Sequence, residues 1–189
     1  MQVGVVKTRL AKTIGDEKAL SVYFELVKIT QREVRQVDTE TAVFYSEKLG
    51  LNDGWDANVE KRVQQGVDLG ERMKQAFSYA LTEKEYTKAV LIGSDCPELS
   101  SNIIEEAFEK LDANEVVFGP ASDGGYYLVG MKTPHSYLFE NMEWSTSSVL
   151  EHSLAKLKEF SVKYELLEEL SDVDTFEDWQ GYRHKIESK

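Results

Sequence analysis

KAVLIGSDCPELSSNIIEEAFEKLDANEVVFGPASDGGYYLVG, residues 88–130, is the stretch that decides the fold. Lys88 to Gly93 is short and apolar throughout, as a strand covered on both faces is. Ser100 or Ser101 then caps a helix whose apolar positions, Ile103, Ile104, Ala107, Phe108 and Leu111, recur at helical spacing. A second apolar run, Val116 to Gly119, follows at once. Strand, helix, strand in this rhythm implies parallel strands joined by a crossover helix. Asp123, Gly124 and Gly125 are turn residues ahead of a further strand, Tyr126 to Gly130.

On the amino side, Leu69, Met73, Ala76, Phe77, Ala80 and Leu81 step as one face of an amphipathic helix. Thr41 to Tyr45 reads as a strand. Before it, Leu20, Tyr23, Phe24 and Val27 form a helical stripe after Gly15-Asp16. On the carboxyl side, Ser148 and Glu151 have capping-box spacing at the start of a helix carrying Leu150, Leu154 and Leu157. A short strand near Tyr164 to Leu167 and a helix from Thr175 complete the order. The expected fold class is α/β, an open and mostly parallel sheet with helices on both faces. Nothing in the 189 residues resembles a repeat or a linker, so one domain over 1–189 is expected.

Composition narrows the function classes. Lys plus Arg number 22 against 34 Asp plus Glu, a net charge of −12 and a pI near 4.8. That excludes a coat for nucleic acid or an anionic membrane surface, and leaves a small anionic substrate helped by local basic groups or a divalent cation. No apolar stretch approaches the roughly 20 residues of a membrane span, and MQVGVVKTRLAK lacks the apolar core of a secretory signal, which points to the cytoplasm. Cys96 is the single cysteine, and His135, His152 and His184 lie far apart, so a structural zinc site is not expected. Cys96 reads as a small buried filler and the histidines as surface or satisfied core groups.

Ligands of open α/β sheets bind beyond the carboxyl ends of strands, which makes the polar residues after apolar runs informative. Gly4, Lys7 and Arg9 bring a permissive backbone and two cations together, as a phosphate contact needs, or form a solvated basic terminus. Asp95 follows the most apolar strand and either holds a divalent cation or caps the next turn. Asp123 lies in the paired-glycine turn, which is a plain hairpin or the rim of a site. In LSDVDTFEDW half of the acids are explained by the start of a helix at Thr175, leaving Asp172 or Asp174 to complete a metal site with Asp95. Gln64 and Arg72 flank the glycine pair before the helix at Leu69, where a helix amino terminus favours anions. Trp144-Ser145-Thr146 reads as a packed lid or an acceptor platform.

The ordered set KTRLAKTIG, QQGVDLGERM, LIGSDCPEL, FGPASDGGYYLVG, WST and DVDTFEDW resembles a bacterial family assigned as glycosyltransferases with the GT-A, nucleotide-diphospho-sugar transferase fold. More distantly it is similar to phospholactate and molybdenum-cofactor guanylyltransferases and sugar-nucleotide pyrophosphorylases. The resemblance implies that Gly4, Lys7 and Arg9 contact nucleotide phosphates, with Gln64 nearby. It implies that Asp95 and Asp174 hold Mg²⁺ or Mn²⁺ and that Asp123 faces the acceptor. The implied activity is transfer of a sugar from a nucleotide-diphospho-sugar, the alternatives being nucleotidyl transfer from an NTP to a small phosphate or nucleotide binding without turnover. The family has a hydrophobic strand ahead of the glycine-basic loop, in the middle of the sheet. Here only Met1 to Val3 precede Gly4, and Gln2 to Val6 are expected to act as a short remnant strand.

Overall fold

The computed structural model describes residues 7–50 and 53–187. The expected remnant strand Gln2 to Val6, and Gly4 with it, lie outside the described residues. Helices α1 (Thr8–Ile14) and α2 (Asp16–Val34) lead into strand β1 (Ala42–Tyr45), which pairs in parallel with β2 (Glu60–Val63). Helix α3 (Leu69–Ser78) ends in a π-helical turn, Tyr79–Glu83. Then come β3 (Ala89–Ile92), α4 (Ser101–Ala113), β4 (Val116–Pro120), β5 (Tyr126–Met131), a 3₁₀ turn at Ser136–Phe139, α5 (Val149–Glu159), β6 (Tyr164–Leu166) and α6 (Phe176–Glu187).

The larger sheet has the order β3-β5-β4-β6. β4 pairs in parallel with β6, while β5 lies antiparallel between β3 and β4, so β3, β4 and β6 all run one way. The crossover through α4 therefore links like-directed strands as expected, with the hairpin strand β5 inserted between them. Period-two alternation distributes the side chains to two helical layers. Val90, Ile92, Val117 and Leu128 face a core with Ile103, Ile104, Ala107 and Leu111 of α4, and Leu91, Val116, Phe118, Val129 and Met131 face one with Met73, Phe77 and Leu157 of α3 and α5. A third core joins Leu10, Ala19, Val22 and Leu26 to Val173 and Trp179.

Two local expectations are corrected. The buried stripe of α2 is Ala19, Val22 and Leu26, which pack on α1 and α6, whereas Phe24 is 47% exposed and Tyr23 and Val27 turn toward a cavity. The Ser148 capping box does not form, because Ser148 has ψ of 2° rather than an extended backbone and its hydroxyl meets the Thr146 hydroxyl at 3.0 Å. The Gly124 carbonyl instead accepts from Leu150 N at 3.0 Å and satisfies the start of α5. Ser100 does cap α4, accepting from Ile103 N at 3.4 Å.

Candidate functional site

β3 ends at Ile92, and Gly93 permits the sharp exit that follows: a side chain there would sit 2.7 Å from the Asp95 carboxylate folding back over it. Asp95 thus projects from the carboxyl end of the sheet. Val173 N donates to the Asp95 carbonyl at 2.9 Å, which fastens the late acidic segment beside it. Asp174 N and Thr175 N donate to Asp178 at 3.1 and 2.7 Å, so Asp178 serves the start of α6 and leaves the Asp174 carboxylate free to turn inward.

The carboxylates of Asp95 and Asp174, far apart in sequence, meet on one ammonium. Lys7 Nζ donates to Asp95 Oδ2 at 3.2 Å and to Asp174 Oδ1 at 3.3 Å, and Arg9 Nη1 donates to Asp174 Oδ2 at 3.1 Å. Lys7 has φ of 49°, a left-handed conformation unusual for a residue with a side chain, at the turn into α1. Its side chain is 10% exposed, against 65% for Arg9, so Lys7 is fixed among the acids while Arg9 reaches into solvent. A recess of about 330 Å³ is lined by Lys7, Thr8, Arg9, Tyr23, Ser94, Asp95 and Asp174.

Asp172 lies behind this pair. Burial, reinforced by the charges of Asp95, Asp123 and Asp174 and opposed by Lys7, pushes its carboxyl up to about 7. Its Oδ1 is buried with no hydrogen-bond partner among the described residues. Asp123 Oδ1 accepts from Gly125 N at 2.8 Å, closing the hairpin turn, yet Asp123 and Gly125 line the same cleft as Asp95, Asp172 and Asp174. Hairpin turn and site rim coincide. Gly124, with φ of 89°, lies so close to Ser147 that a side chain would meet its carbonyl oxygen at 2.0 Å, so this glycine serves contact with the Trp144 to Ser148 loop.

Gln64 accepts from Arg72 Nη1 at 3.5 Å and donates to the Phe44 carbonyl at 3.3 Å. Both line the large cleft, as do Trp144, Ser145 and Thr146, away from the Lys7 recess. Cys96 is buried, and burial pushes its thiol up to about 12, in keeping with a filler. The structure therefore gathers Lys7, Arg9, Asp95 and Asp174, sets Asp123 on the rim and leaves Gln64 on another wall.

A profile of the bacterial family described as "Uncharacterized protein conserved in bacteria (DUF2064)" matches residues 29–146. The chain belongs to the DUF2064 family. The matched region holds Gln64, Asp95 and Asp123, while Lys7, Arg9 and Asp174 lie outside it. This DUF2064 chain is similar over 92% of its length, at 30% identity and a TM-score of 0.84, to a crystal structure from Desulfovibrio desulfuricans G20 provisionally named a nucleotide-diphospho-sugar transferase, of which the match covers 78%. Two more distant structures share the fold. One is CMP:2-keto-3-deoxy-manno-octonic acid synthetase complexed with CTP, at 10% identity and a TM-score of 0.55 over 86% of this chain and 88% of that one. The other is Rv0371c of Mycobacterium tuberculosis H37Rv in complex with manganese, at 14% identity and 0.55 over 82% and 84%. No curated protein matches the sequence.

The fold of this DUF2064 chain is that of nucleotide-diphospho-sugar transferases, and no helix among its described residues is long and apolar enough to cross a membrane. The bare residues left Asp172 and Asp174 as alternatives, and the resemblance implied Asp174. The signal that separates them is Val173, whose buried side chain and bond to Asp95 put the two acids on either side of one anchor.

Proposed function

We propose that the protein transfers a sugar from a nucleotide-diphospho-sugar to a small acceptor in the cytoplasm, with Mg²⁺ or Mn²⁺ as cofactor. The observation that carries this reading is the convergence of Asp95 and Asp174 on the Lys7 ammonium at the carboxyl end of β3, with Asp123 at the rim. The donor set fits a hard divalent cation. An ammonium already bridges the two carboxylates. Among the described residues no three His, Cys, Asp or Glu form a metal group by themselves. Mg²⁺ usually takes one or two carboxylates and leaves its other positions to phosphate and water. Asp95 and Asp174 would hold the ion, which supplies charge neutralisation to a departing diphosphate. That Rv0371c, which shares the fold, is found in complex with manganese supports a divalent cation here.

The chain's own groups do the rest. Arg9, with its exposed planar fork, pairs with phosphate oxygens, and Lys7 adds a point charge. Gln64, on the lining of the large cleft, contacts the nucleotide. Asp123, one oxygen held by Gly125 N, presents the other to the acceptor hydroxyl and takes its proton as the glycosidic bond forms.

A second reading is supported by the synthetase bound to CTP: nucleotidyl transfer, in which an acceptor phosphate attacks an NTP and pyrophosphate leaves. One experiment separates the two. Purified protein is incubated with Mn²⁺ and a panel of nucleotide sugars or NTPs with small phosphates. Nucleoside diphosphate release from the sugar donors supports the first reading, and pyrophosphate release supports the second.

A further inference from the structure

Arg9, Arg32, Arg35 and Arg62 each meet a carboxylate, at 3.1, 2.8, 3.1 and 3.0 Å. Arg72 meets none among the described residues, in a chain of net charge −12. The segment around it, QQGVDLGERM, explains why. Asp68 Oδ1 accepts from Glu71 N at 2.8 Å and Glu71 Oε2 accepts from Val67 N at 2.9 Å, so both neighbouring acids are taken by the backbone and the start of α3 is capped by its own chain. Gly66, at φ of 130°, packs so closely that a side chain there would meet Arg72 N at 2.9 Å. Its carbonyl accepts from Arg72 Nε at 3.3 Å, and Gln64 Oε1 accepts from Nη1 at 3.5 Å. The guanidinium is thus steadied by two neutral oxygens, and its Nη2 has no acceptor among the described residues.

Arg72 lines the large cleft and has no part in the recess of Lys7 and Arg9, where the diphosphate is assigned. The wall continues from it toward Asp123. A side chain at Gly70 would sit 2.8 Å from the Trp144 ring, so the bare glycine lets Trp144 lie across the start of α3. Tyr126 Oη lies 3.9 Å from Met73 Sδ, and Tyr126 directly follows the turn that Asp123 closes. Asp95, Asp123, Asp172 and Asp174 line the cleft as well and repel a second anion from their end of it. A planar fork kept off every carboxylate of its own chain matches a carboxylate or phosphate brought by a ligand.

We propose that Arg72 is the specificity residue of the acceptor site, and that the acceptor carries an anionic group, a carboxylate or a phosphate, apart from the hydroxyl that faces Asp123. Its body lies along Trp144 and Tyr126, with the anionic end on the Arg72 fork. Calling this molecule the acceptor rests on the sugar-transfer reading above, whereas the anion site is measured without turnover.

The test follows the Nε–H signals of Arg72 and Arg9 by NMR in the full chain labelled at arginine nitrogen, each signal assigned by its loss in Arg72→Gln or Arg9→Gln. D-glucuronate and glycerol phosphate are the anionic probes and D-glucose the neutral one, at constant ionic strength. The expected result is a saturable shift of the Arg72 signal with glucuronate, glycerol phosphate or both, and none with glucose. By calorimetry, binding of that anion should weaken at least about tenfold in Arg72→Gln, as the loss of one charge-assisted hydrogen bond implies. A response to glucuronate alone makes the acceptor a sugar acid, and a response to glycerol phosphate alone makes it a phosphate ester. No shift with either anion, a shift confined to Arg9, or equal binding by Arg72→Gln overturns the proposal. If Arg72→Gln does not fold, Arg72→Lys keeps the charge without the fork and should bind more weakly, and binding as tight as that of the parent chain overturns the proposal. A separate arm adds a nucleoside diphosphate with Mn²⁺. An unmoved Arg9 signal there counts against the sugar-transfer reading alone and leaves the Arg72 result standing.

Discussion

β4 and β3 are both short, apolar and run the same way, yet every residue of β4 is buried and every residue of β3 is half-buried. The difference lies in their neighbours. β4 has β5 on one side and β6 on the other, whereas β3 has only β5 among the described strands. An apolar run states that a segment is fit for burial, and the strands beside it decide how much burial it receives. The open edge at β3 borders the cleft and contributes Asp95, while the β4–β5 turn and the segment after β6 bring Asp123, Asp172 and Asp174 to it.

This contrast sets the largest expected effect. Phe118→Ala, at a position 1% exposed, should lower unfolding free energy by about 3–5 kcal/mol, while Leu91→Ala on β3 should cost about 1–2 kcal/mol. Urea denaturation of both variants checks this, and equal losses would break the comparison. Gly124→Ala should come next, at about 1–3 kcal/mol, because the side chain meets the Ser147 carbonyl in a left-handed backbone. Its cost would show that the hairpin turn and the Trp144 to Ser148 loop form one rigid unit.

In the small sheet, Asp53 ties β1 to β2 through Tyr45 and Lys61. Burial alone would raise its carboxyl, but hydrogen bonds from Lys61, Tyr45 and Trp55 N outweigh that and hold it at about 2. Because the folded value lies below the unfolded one, the associated stability is present above about pH 4 and is lost as pH falls toward 2. Acid titration of the unfolding midpoint should show no more than about 1 kcal/mol of this loss, because solvent screens the group, and Asp53→Asn should flatten that part of the curve.

Most of the framework was legible in the sequence. The stripes of α3 and α4, the Ser100 cap and the runs of β3, β4 and β5 stand where periodicity places them. β2 was not legible, since Glu60-Lys61-Arg62-Val63 reads as a charged surface and becomes a strand through pairing with β1. α1 was hidden as well, because Lys7 and Arg9 drew attention to phosphate chemistry while Leu10 anchors a helix in the third core. The turned stripe of α2 has the same origin. Two apolar faces compete on that helix, and contact with α1 and α6 selects Ala19, Val22 and Leu26. At the site, Asp95, Asp174, Lys7 and Arg9 stood out as polar residues at strand exits and loops. The burial of Asp172 did not, because a run of acids carries no mark of which one faces inward.

The central claim is that Asp95 and Asp174 form a cation-dependent nucleotide site at the end of β3, and the most direct measurement is thermal unfolding of the parent chain and Asp95→Asn with nucleotide sugars and NTPs, with and without Mn²⁺. A ligand at a hundredfold its Kd adds about 2.7 kcal/mol, which for a chain of this length is about 5–10 °C. The expected result is a shift of that order in the parent chain that requires nucleotide and Mn²⁺ together. In Asp95→Asn that shift should vanish while the ligand-free midpoint moves by no more than about 2 °C. A cation-dependent shift that survives Asp95→Asn unchanged, or no nucleotide shift in the parent chain, would contradict the account.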